Sequence, residues 1–251
     1  MNKEEMMLQK HLIDLSEMAY ARDIVTFSDF LNLNELNILH STPKNMFFSK
    51  YETYGGYEAS ERQMVAFLPD ALYYDYNYPI TVLKIEPSAP KFAEQLNHRD
   101  YLGAILNLGV ERCKIGDLLV KDKECILFLC DSMSRFITEN LTRIRHTSVS
   151  VTEINPTEFS YTPNFQEIKG TVASVRLDTI LSVAYPLSRS KLTGLITGGK
   201  VFVNGKLITS NAYRLKEGDV ISIRGMGRIA YGGILSETRK GRFYIFVNKF
   251  I

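Results

Sequence analysis

Apolar residues recur at two different spacings along this chain of 251 residues, and the spacing predicts where helices and strands lie. Residues 4–20 place apolar side chains at intervals of three and four, which predicts an amphipathic helix. Its apolar face is formed by Leu8, Leu12, Leu15 and Ala19. We predict a further helical stretch from about Thr26 and another from Asn34, whose side chain would cap residues 35–40.

The next segment alternates between strand-like and turn-like composition. Phe47, Phe48 and residues 64–68 predict strands on either side of a turn at Gly55-Gly56. A glycine pair can admit a phosphate to backbone N–H groups, although a tight turn is its commoner use. The tyrosine-rich residues 71–80, ALYYDYNYPI, could stack on nucleic-acid bases, but tyrosines more often pack at a domain seam.

Residues 79–155 follow the order strand-helix-strand-strand-helix-strand, which is the ferredoxin-like (RRM-like) arrangement that RNA recognition modules also use. Asn97 caps the first predicted helix, and the second starts at Ser132 and continues to Ile144. The strands are predicted at residues 80–85, 112–120, 124–130 and 147–154. The third strand, ECILFLCD, is apolar and acidic where those modules carry the signature K/R-G-F/Y-G/A-F-V-x-F/Y, which disfavours base stacking on this sheet.

Residues 156–170 predict a linker, because they combine two prolines with polar residues and no clear period. After it, residues 171–251 change from helical to alternating spacing. Ser188 suits the N-cap of the second of two short helices, and Gly198-Gly199 ends that helix. Its apolar face contains Leu192, Leu195 and Ile196.

Strands follow the second helix of this C-terminal segment. Asn204-Gly205 predicts a tight hairpin, and residues 220–223 predict another short strand. Residues 229–235 and 243–247 predict a terminal pair of strands. The whole chain is therefore predicted as α+β, with a helical or mixed N-terminal region at 1–78, a ferredoxin-like domain, a linker and a C-terminal domain of two helices plus a small antiparallel sheet.

Charge is distributed unevenly. The net charge is +2, yet the segment from Thr171 onward holds 13 Lys and Arg against 4 Asp and Glu, whereas the first 170 residues hold 17 against 24. A basic C-terminal segment joined to an acidic body indicates that a nucleic-acid surface lies in the C-terminal segment.

Four motifs in this segment resemble a known RNA-binding domain. RLDxxL, SRSK, GKVxVNGK and LxxGDxIxI stand in that order between Arg176 and Ile223. They resemble the αL domain named after small-subunit ribosomal protein four, which also occurs in pseudouridine synthases and in relatives of heat-shock protein fifteen. With YGGYEASER and LNHRDYLGAILNLGVERCKIGD earlier in the chain, the complete order resembles the YlmH family of bacterial RNA-binding proteins.

This resemblance implies a protein without catalytic activity that binds rRNA or tRNA on the large ribosomal subunit, in the rescue of stalled nascent chains. We expect RNA contacts, or a loop shaped beside the RNA, at Arg176, Ser188, Arg189, Ser190, Lys191, Lys200, Asn204, Gly205, Lys206 and Arg224. A second RNA contact in the middle domain would draw on His98, Arg99, Arg112, Lys114, Arg143 and Arg145.

Two other function classes stay open: an RNA-modifying enzyme related to pseudouridine synthases, and a protein adaptor linked to cell division. For the enzyme, Asp100 is the one candidate catalytic aspartate, although its place three residues after Asn97 favours helix capping. We expect no cofactor and no metal, since Cys113, Cys125 and Cys130 form no metal-binding spacing. With no signal peptide and no apolar run of membrane-spanning length, a cytoplasmic monomer is expected.

Overall fold

A computed structural model describes residues 3–58, 60–155 and 165–250, and the chain divides into two compact units, Met1–Tyr161 and Thr162–Ile251. Both units combine helices with antiparallel sheets, which confirms the predicted α+β class. In the described ranges, no helix has the length and apolar character needed to cross a membrane.

The N-terminal region of the first unit packs two helices against a three-stranded sheet. Helix α1 spans Lys3–Arg22 and helix α2 spans Leu33–Ser41. Strands β1 (Thr26–Phe27), β2 (Lys50–Tyr54) and β3 (Met64–Leu68) pair antiparallel in the order β1-β3-β2. The core of this region is formed by Leu12, Ala19, Leu31, Leu36, Leu39, Val65 and Phe67.

The helix predicted from Thr26 is wrong. Thr26 pairs with Phe67 and Phe27 pairs with Ala66, so this short segment is a strand. The ring of Phe27 also contacts that of Tyr78, with 5.5 Å between centroids. A two-residue strand has no period of its own, and these partners lie about 40 to 50 residues away in the sequence, so local spacing could not indicate it.

The cap predicted for the next helix is also displaced. Asn32, not Asn34, is the N-cap of α2, and its side-chain oxygen accepts the backbone N–H of Glu35 at 3.2 Å. The carboxylate of Glu35 accepts the backbone N–H of Asn32 at 2.6 Å. This reciprocal pair is a capping box, which satisfies two backbone donors at the start of the helix.

The middle of the first unit is a five-stranded antiparallel sheet with two helices, in the predicted ferredoxin-like order. Its elements are β4 (Ile80–Pro87), α3 (His98–Asn107), β5 (Ile115–Lys121), β6 (Glu124–Cys130), α4 (Asp131–Asn140), β7 (Arg143–Ile144) and β8 (Thr147–Ile154). The strand order is β5-β6-β4-β8-β7, so the four main strands have the ferredoxin-like arrangement and β7 adds a short edge strand.

Two boundaries in this domain differ from the prediction. Strand β5 begins at Ile115, after a short 3-10 turn at Arg112–Lys114. Helix α4 ends at Asn140, and Ile144 lies in β7 opposite Thr147. The apolar spacing is misleading there, because Ile144 is buried in the same core as the helical residues but reaches it from a strand.

The two faces of the middle sheet are covered by different parts of the first unit. Helices α3 and α4 contribute Tyr101, Ile105 and Ile137 to the core that also contains Leu83 and Leu127 of the sheet. A second core joins the other face to the N-terminal region through Phe30, Tyr57, Met64, Val82 and Phe128. The hydrophobic core therefore crosses the predicted division at residues 78 and 79.

The second unit packs two helices against a six-stranded antiparallel sheet. Its elements are β9 (Phe165–Val172), α5 (Leu177–Ala184), α6 (Arg189–Thr197), β10 (Val201–Val203), β11 (Lys206–Leu207), β12 (Val220–Ile223), β13 (Gly227–Glu237) and β14 (Phe243–Phe250). The strand order is β11-β10-β12-β13-β14-β9. The predicted helix pair, hairpin and terminal strands are confirmed.

The predicted linker is wrong for its last six residues. Residues 156–164 lie outside the described ranges, but Phe165 to Gly170 belong to β9, which pairs with β14 along its whole length. Strand β9 reads FQEIKGTV and is an edge strand with mostly exposed side chains, so it carries little of the apolar alternation by which strands are recognised.

Candidate nucleic-acid interface

The helix pair of the second unit is anchored by an apolar core, and this anchoring leaves a cationic first turn on α6. Leu177, Ile180 and Leu181 of α5 pack with Leu192 and Ile196 of α6. Because the core holds α6 along one face, the residues between its apolar positions are directed to solvent.

The first turn of α6 carries two exposed cations, Arg189 and Lys191. Ser188 is the N-cap, as predicted, and its hydroxyl accepts the backbone N–H of Lys191 at 3.4 Å. The hydroxyls of Ser188 and Ser190 lie 3.1 Å apart. Neither cation forms an ion pair within the described part of the chain. Both are therefore available to an external anion.

Arg176 differs from these two cations because its guanidinium already binds the carboxylate of Asp178. Its Nε and Nη2 donate to the two carboxylate oxygens of Asp178 at 3.1 and 2.7 Å. This bidentate pair satisfies one edge of the guanidinium. Arg176 is consequently less available to an external anion than Arg189 or Lys191, although its side chain is 42% exposed.

Lys200 and Arg224 lie on neighbouring segments at one end of the small sheet. The backbone N–H of Arg224 donates to the carbonyl of Lys200 at 3.0 Å, and both residues are exposed. The guanidinium of Arg224 lies 5.4 Å from the centroid of the Phe202 ring, which orients it by a cation–π contact. The fold thus brings together two predicted RNA contacts separated by 24 positions in the sequence.

Asn204-Gly205 forms the predicted tight turn, with φ of +48° and +77°. The Asn204 side chain is used inside the protein: its Nδ2 donates to Asp219 at 2.8 Å and its oxygen accepts the N–H of Val220 at 2.9 Å. Asn204 therefore shapes the loop, as expected, but its amide is not free to bind RNA. Lys206 follows the turn and is exposed.

Two residues that organise this surface were not among the predicted site residues. The carboxylate of Asp219 is buried and also accepts the backbone N–H of Lys216 at 2.8 Å, so it holds two turns together. Arg214 is exposed and forms a β-bridge with Arg176, which places it beside the start of α5. The Gly218-Asp219 pair is a local signal for a turn, but no local signal indicates the bridge.

In the middle domain, two residues predicted to form a second RNA contact, Lys114 and Arg112, are engaged within the protein. Lys114 forms an ion pair with Asp29 at 2.6 Å, and the hydrogen bond to that carboxylate raises the pKa of Lys114. Arg112 is half-buried and donates to the carbonyl of Ile115 at 2.7 Å. Burial, followed by the charge of Arg62, lowers the pKa of Arg112 to about 10. Both cations are structural.

His98 also contributes little positive charge. Partial burial of its imidazole, followed by the nearby charge of Arg112, lowers its pKa below the ordinary value. At neutral pH the ring therefore carries less positive charge than an ordinary histidine. Arg99, Arg143 and Arg145 remain as exposed cations of the predicted set in this domain.

Asp100 caps α3, and its carboxylate is fully engaged. One oxygen accepts the backbone N–H of Asn97 at 2.9 Å, and the other accepts from Arg145 at 2.7 Å. The side chain of Asp100 is only 6% exposed. A carboxylate held in this way is poorly placed to attack a substrate, because it would first have to leave both donors.

The YGGYEASER segment has a structural role that its sequence did not reveal. Arg62 is buried and donates to three carbonyls, those of Ile115 at 2.7 Å, Phe30 at 3.0 Å and Arg112 at 3.1 Å. Asp117 accepts the hydroxyl of Tyr57 at 2.7 Å. These bonds fasten the segment to the start of β5.

The aromatic and sulfur-containing candidates are also mainly structural. Tyr76 and Tyr78 pack on Phe27, as expected for tyrosines at a seam, whereas Tyr73 is 88% exposed. Cys113, Cys125 and Cys130 are free thiols, and burial raises the pKa of each, to about 11, 12 and 12. Among the described residues, no group of three or more metal-ligand side chains comes together.

Comparisons with known proteins match both parts of this architecture. The family described as "Putative RNA-binding domain in YlmH" matches residues 74–158, and the S4 domain matches residues 175–221. "Ribosome-associated protein quality control protein P2" of Bacillus subtilis (strain 168) is 29% identical over 193 residues, which cover 76% of this chain and 74% of the relative.

A solved structure, "Cell division protein ylmH from Streptococcus pneumoniae", shares the fold with a TM-score of 0.52 and 20% sequence identity. The similarity covers 63% of this chain and 95% of that chain. The matched domains coincide with the ferredoxin-like domain and with the helix pair and hairpin described above. The chain therefore carries a domain similar to the RNA-binding domain of YlmH at residues 74–158, followed by an S4 domain at residues 175–221.

Proposed function

We propose that the protein binds folded rRNA or tRNA on the large ribosomal subunit through its S4 domain. The observation that carries this proposal is the first turn of α6, where Arg189 and Lys191 are exposed and form no ion pair within the described residues. Phosphate is the anion that folded RNA presents along its surface, so unpaired cations on a rigid helix suit it.

The geometry favours recognition of RNA shape over recognition of sequence. The S4 surface offers cations and backbone turns, and Phe202, the aromatic residue beside Arg224, is itself buried. Phosphate contacts position a protein on RNA but carry little sequence information. A folded RNA whose phosphates match the spacing of Arg189, Lys191 and Lys200 is therefore the expected ligand.

The similarity to the ribosome-associated quality control protein of Bacillus subtilis supports a role in ribosome-associated quality control of stalled nascent chains. In that role the protein acts by binding and catalyses no reaction, and it works in the cytoplasm, where ribosomes translate. The commitment of Asp100 to Asn97 and Arg145 supports the non-catalytic proposal.

The proposal is tested by replacing Arg189 and Lys191 together with alanine and measuring binding to purified large ribosomal subunits across a salt series. Each lost phosphate contact lowers the slope of log affinity against log salt by about 0.7–0.9. The double variant should therefore lose about 1.4–1.8 from that slope, with weaker binding at low salt.

The matched control replaces Arg239 and Lys240, two exposed cations in the turn between β13 and β14 of the same unit. It removes the same charge from a different place and should leave most of the slope intact. Equal decreases of the salt slope in both variants would show that net charge alone causes the effect. An unchanged slope in both variants would show that the first turn of α6 does not contact RNA.

A separate experiment tests the absence of catalysis. RNA from a deletion strain is compared with RNA from the parent by mass spectrometry. We expect no missing modification. A modification that disappears on deletion, and returns with the wild-type protein but not with Asp100→Ala, would establish an enzyme.

A further inference from the structure

The sheet of the middle domain is not the surface through which this domain could bind RNA. Its outer face is covered by the N-terminal region, and the Phe128 ring lies 5.0 Å from the Tyr57 ring, fully buried. Ala or a larger residue cannot replace Gly56 without meeting that ring, since a Cβ there would lie 2.4 Å from Phe128 Cδ1. The packing on this face is therefore close.

Three exposed arginines and an exposed histidine of this domain lie instead along one edge, which we call the β7 edge and define as Arg99, Arg143, Arg145 and His146. Strand β7 is the outermost strand of the sheet. Ile144 is buried, whereas Arg143 before it in β7 and Arg145 after it in the turn to β8 are both exposed.

Asp100 joins the two halves of the β7 edge. Its 2.7 Å ion pair with Arg145 ties the β7–β8 turn to the first turn of α3, where Arg99 is the preceding residue. Asp100 is almost completely buried, so it organises the edge without exposing much negative charge. Arg99 and Arg143 form no ion pair in the described ranges of the chain.

The backbone at Arg145 is the second observation. Its φ is +52°, in the left-handed region that bulky side chains rarely adopt and that glycine or asparagine occupies at lower cost. A strained residue of this kind persists when the surrounding structure holds it in place, and such residues cluster at functional sites. Here the side chain is a 60% exposed guanidinium that keeps donors beyond the one bonded to Asp100.

We propose that the β7 edge is a second phosphate-binding surface, which contacts the backbone of the RNA that the S4 domain binds. This inference rests on the proposed function, because it assumes the same class of ligand. Two weak surfaces on one chain reinforce each other, since binding at the first raises the local concentration of the ligand at the second.

The test uses the full chain, with Arg99 and Arg143 both replaced by alanine, and large ribosomal subunits as the probe over a salt series. The expected result is a decrease of about 1.4–1.8 in the salt slope, as for any two lost phosphate contacts. The control is Lys50→Ala with Arg135→Ala, which removes two exposed cations from elsewhere in the same unit and should leave the slope nearly unchanged.

A third variant, Arg145→Asn, keeps a residue that tolerates the left-handed backbone and removes the cation. We expect a native circular dichroism spectrum together with weaker binding. Unchanged binding in this variant would mean that the Arg145 side chain does not contact RNA and that the turn has only a structural role.

The outcomes separate this inference from the proposed function. One outcome is that Arg99→Ala/Arg143→Ala binds like the wild type while Arg189→Ala/Lys191→Ala shows a smaller salt slope. The β7 edge is then not an RNA-binding surface, and the proposed S4 interface is supported. If the β7 edge variant alone loses binding, the proposed S4 interface is wrong, and with it the inference that the edge is a second surface for RNA held by the S4 domain.

Discussion

Replacing Arg62 with methionine should destabilise the first unit more than any other single removal of a cation from it. The guanidinium of Arg62 is buried and bonds three carbonyls, at 2.7, 3.0 and 3.1 Å. Methionine fills much of the same volume but donates no hydrogen bond, so these carbonyls lose a donor in a place that water reaches poorly.

The magnitude follows from two opposing effects. Each hydrogen bond from a charged donor contributes about 1.5–3 kcal/mol, which would total at least about 4.5 kcal/mol for three. Burial lowers the pKa of Arg62, which shows that the charged form is held at a desolvation cost that the methionine variant does not carry. We therefore expect a net loss of about 3–5 kcal/mol in the free energy of unfolding of this unit.

Hydrogen exchange followed by mass spectrometry measures this loss within the first unit. Peptides covering β5 and β6 should exchange more than about 100-fold faster in the variant, because 1.4 kcal/mol corresponds to a factor of ten. Arg62→Lys should fall between the wild type and methionine, since one ammonium cannot span three carbonyls.

Arg112→Met is the matched control for Arg62→Met. Arg112 is only half-buried and bonds the carbonyls of Ile115 and Gly116, the first of which Arg62 also serves. It should cost about 1–2 kcal/mol. Equal losses for the two methionine variants, or a loss below about 1 kcal/mol for Arg62→Met, would refute the reasoning from buried carbonyls.

Two further predictions concern backbone turns. Gly56→Ala should destabilise the first unit by about 2–4 kcal/mol in urea denaturation, because Gly56 has φ +99° and a Cβ at this position would overlap the Phe128 ring. The control Gly103→Ala lies at an open site in α3 and should stabilise the unit by up to about 1 kcal/mol. Similar effects of the two alanines would contradict this. Asn204→Asp should destabilise the second unit by about 2–3 kcal/mol, because it places a carboxylate next to that of Asp219 in place of a 2.8 Å hydrogen bond. Asn204→Gly loses two hydrogen bonds but keeps the turn, and should cost about 1–2 kcal/mol. Hydrogen exchange of β12 distinguishes the two variants, and an Asp variant as stable as the wild type would show that Asp219 does not stabilise the turn.

Features that depend on a few neighbouring residues could be predicted from the amino-acid sequence. The cap of α6 at Ser188 and the hairpin at Asn204-Gly205 follow from local backbone chemistry, since one side chain or one glycine satisfies the turn. The order of elements in the middle domain follows from apolar spacing in the same way. The motifs of the helix pair and hairpin were sufficient to indicate the S4 domain.

Which cations are available to an external anion depends on long-range contacts in the folded chain. Lys114 is neutralised by Asp29, 85 positions away, and Arg112 is turned inward to backbone carbonyls. Strand β9 is defined by its pairing with β14, about 80 residues later. Such partners are far apart in the chain, so their contacts depend on how the whole core packs, and no local pattern of hydrophobic and polar residues records them.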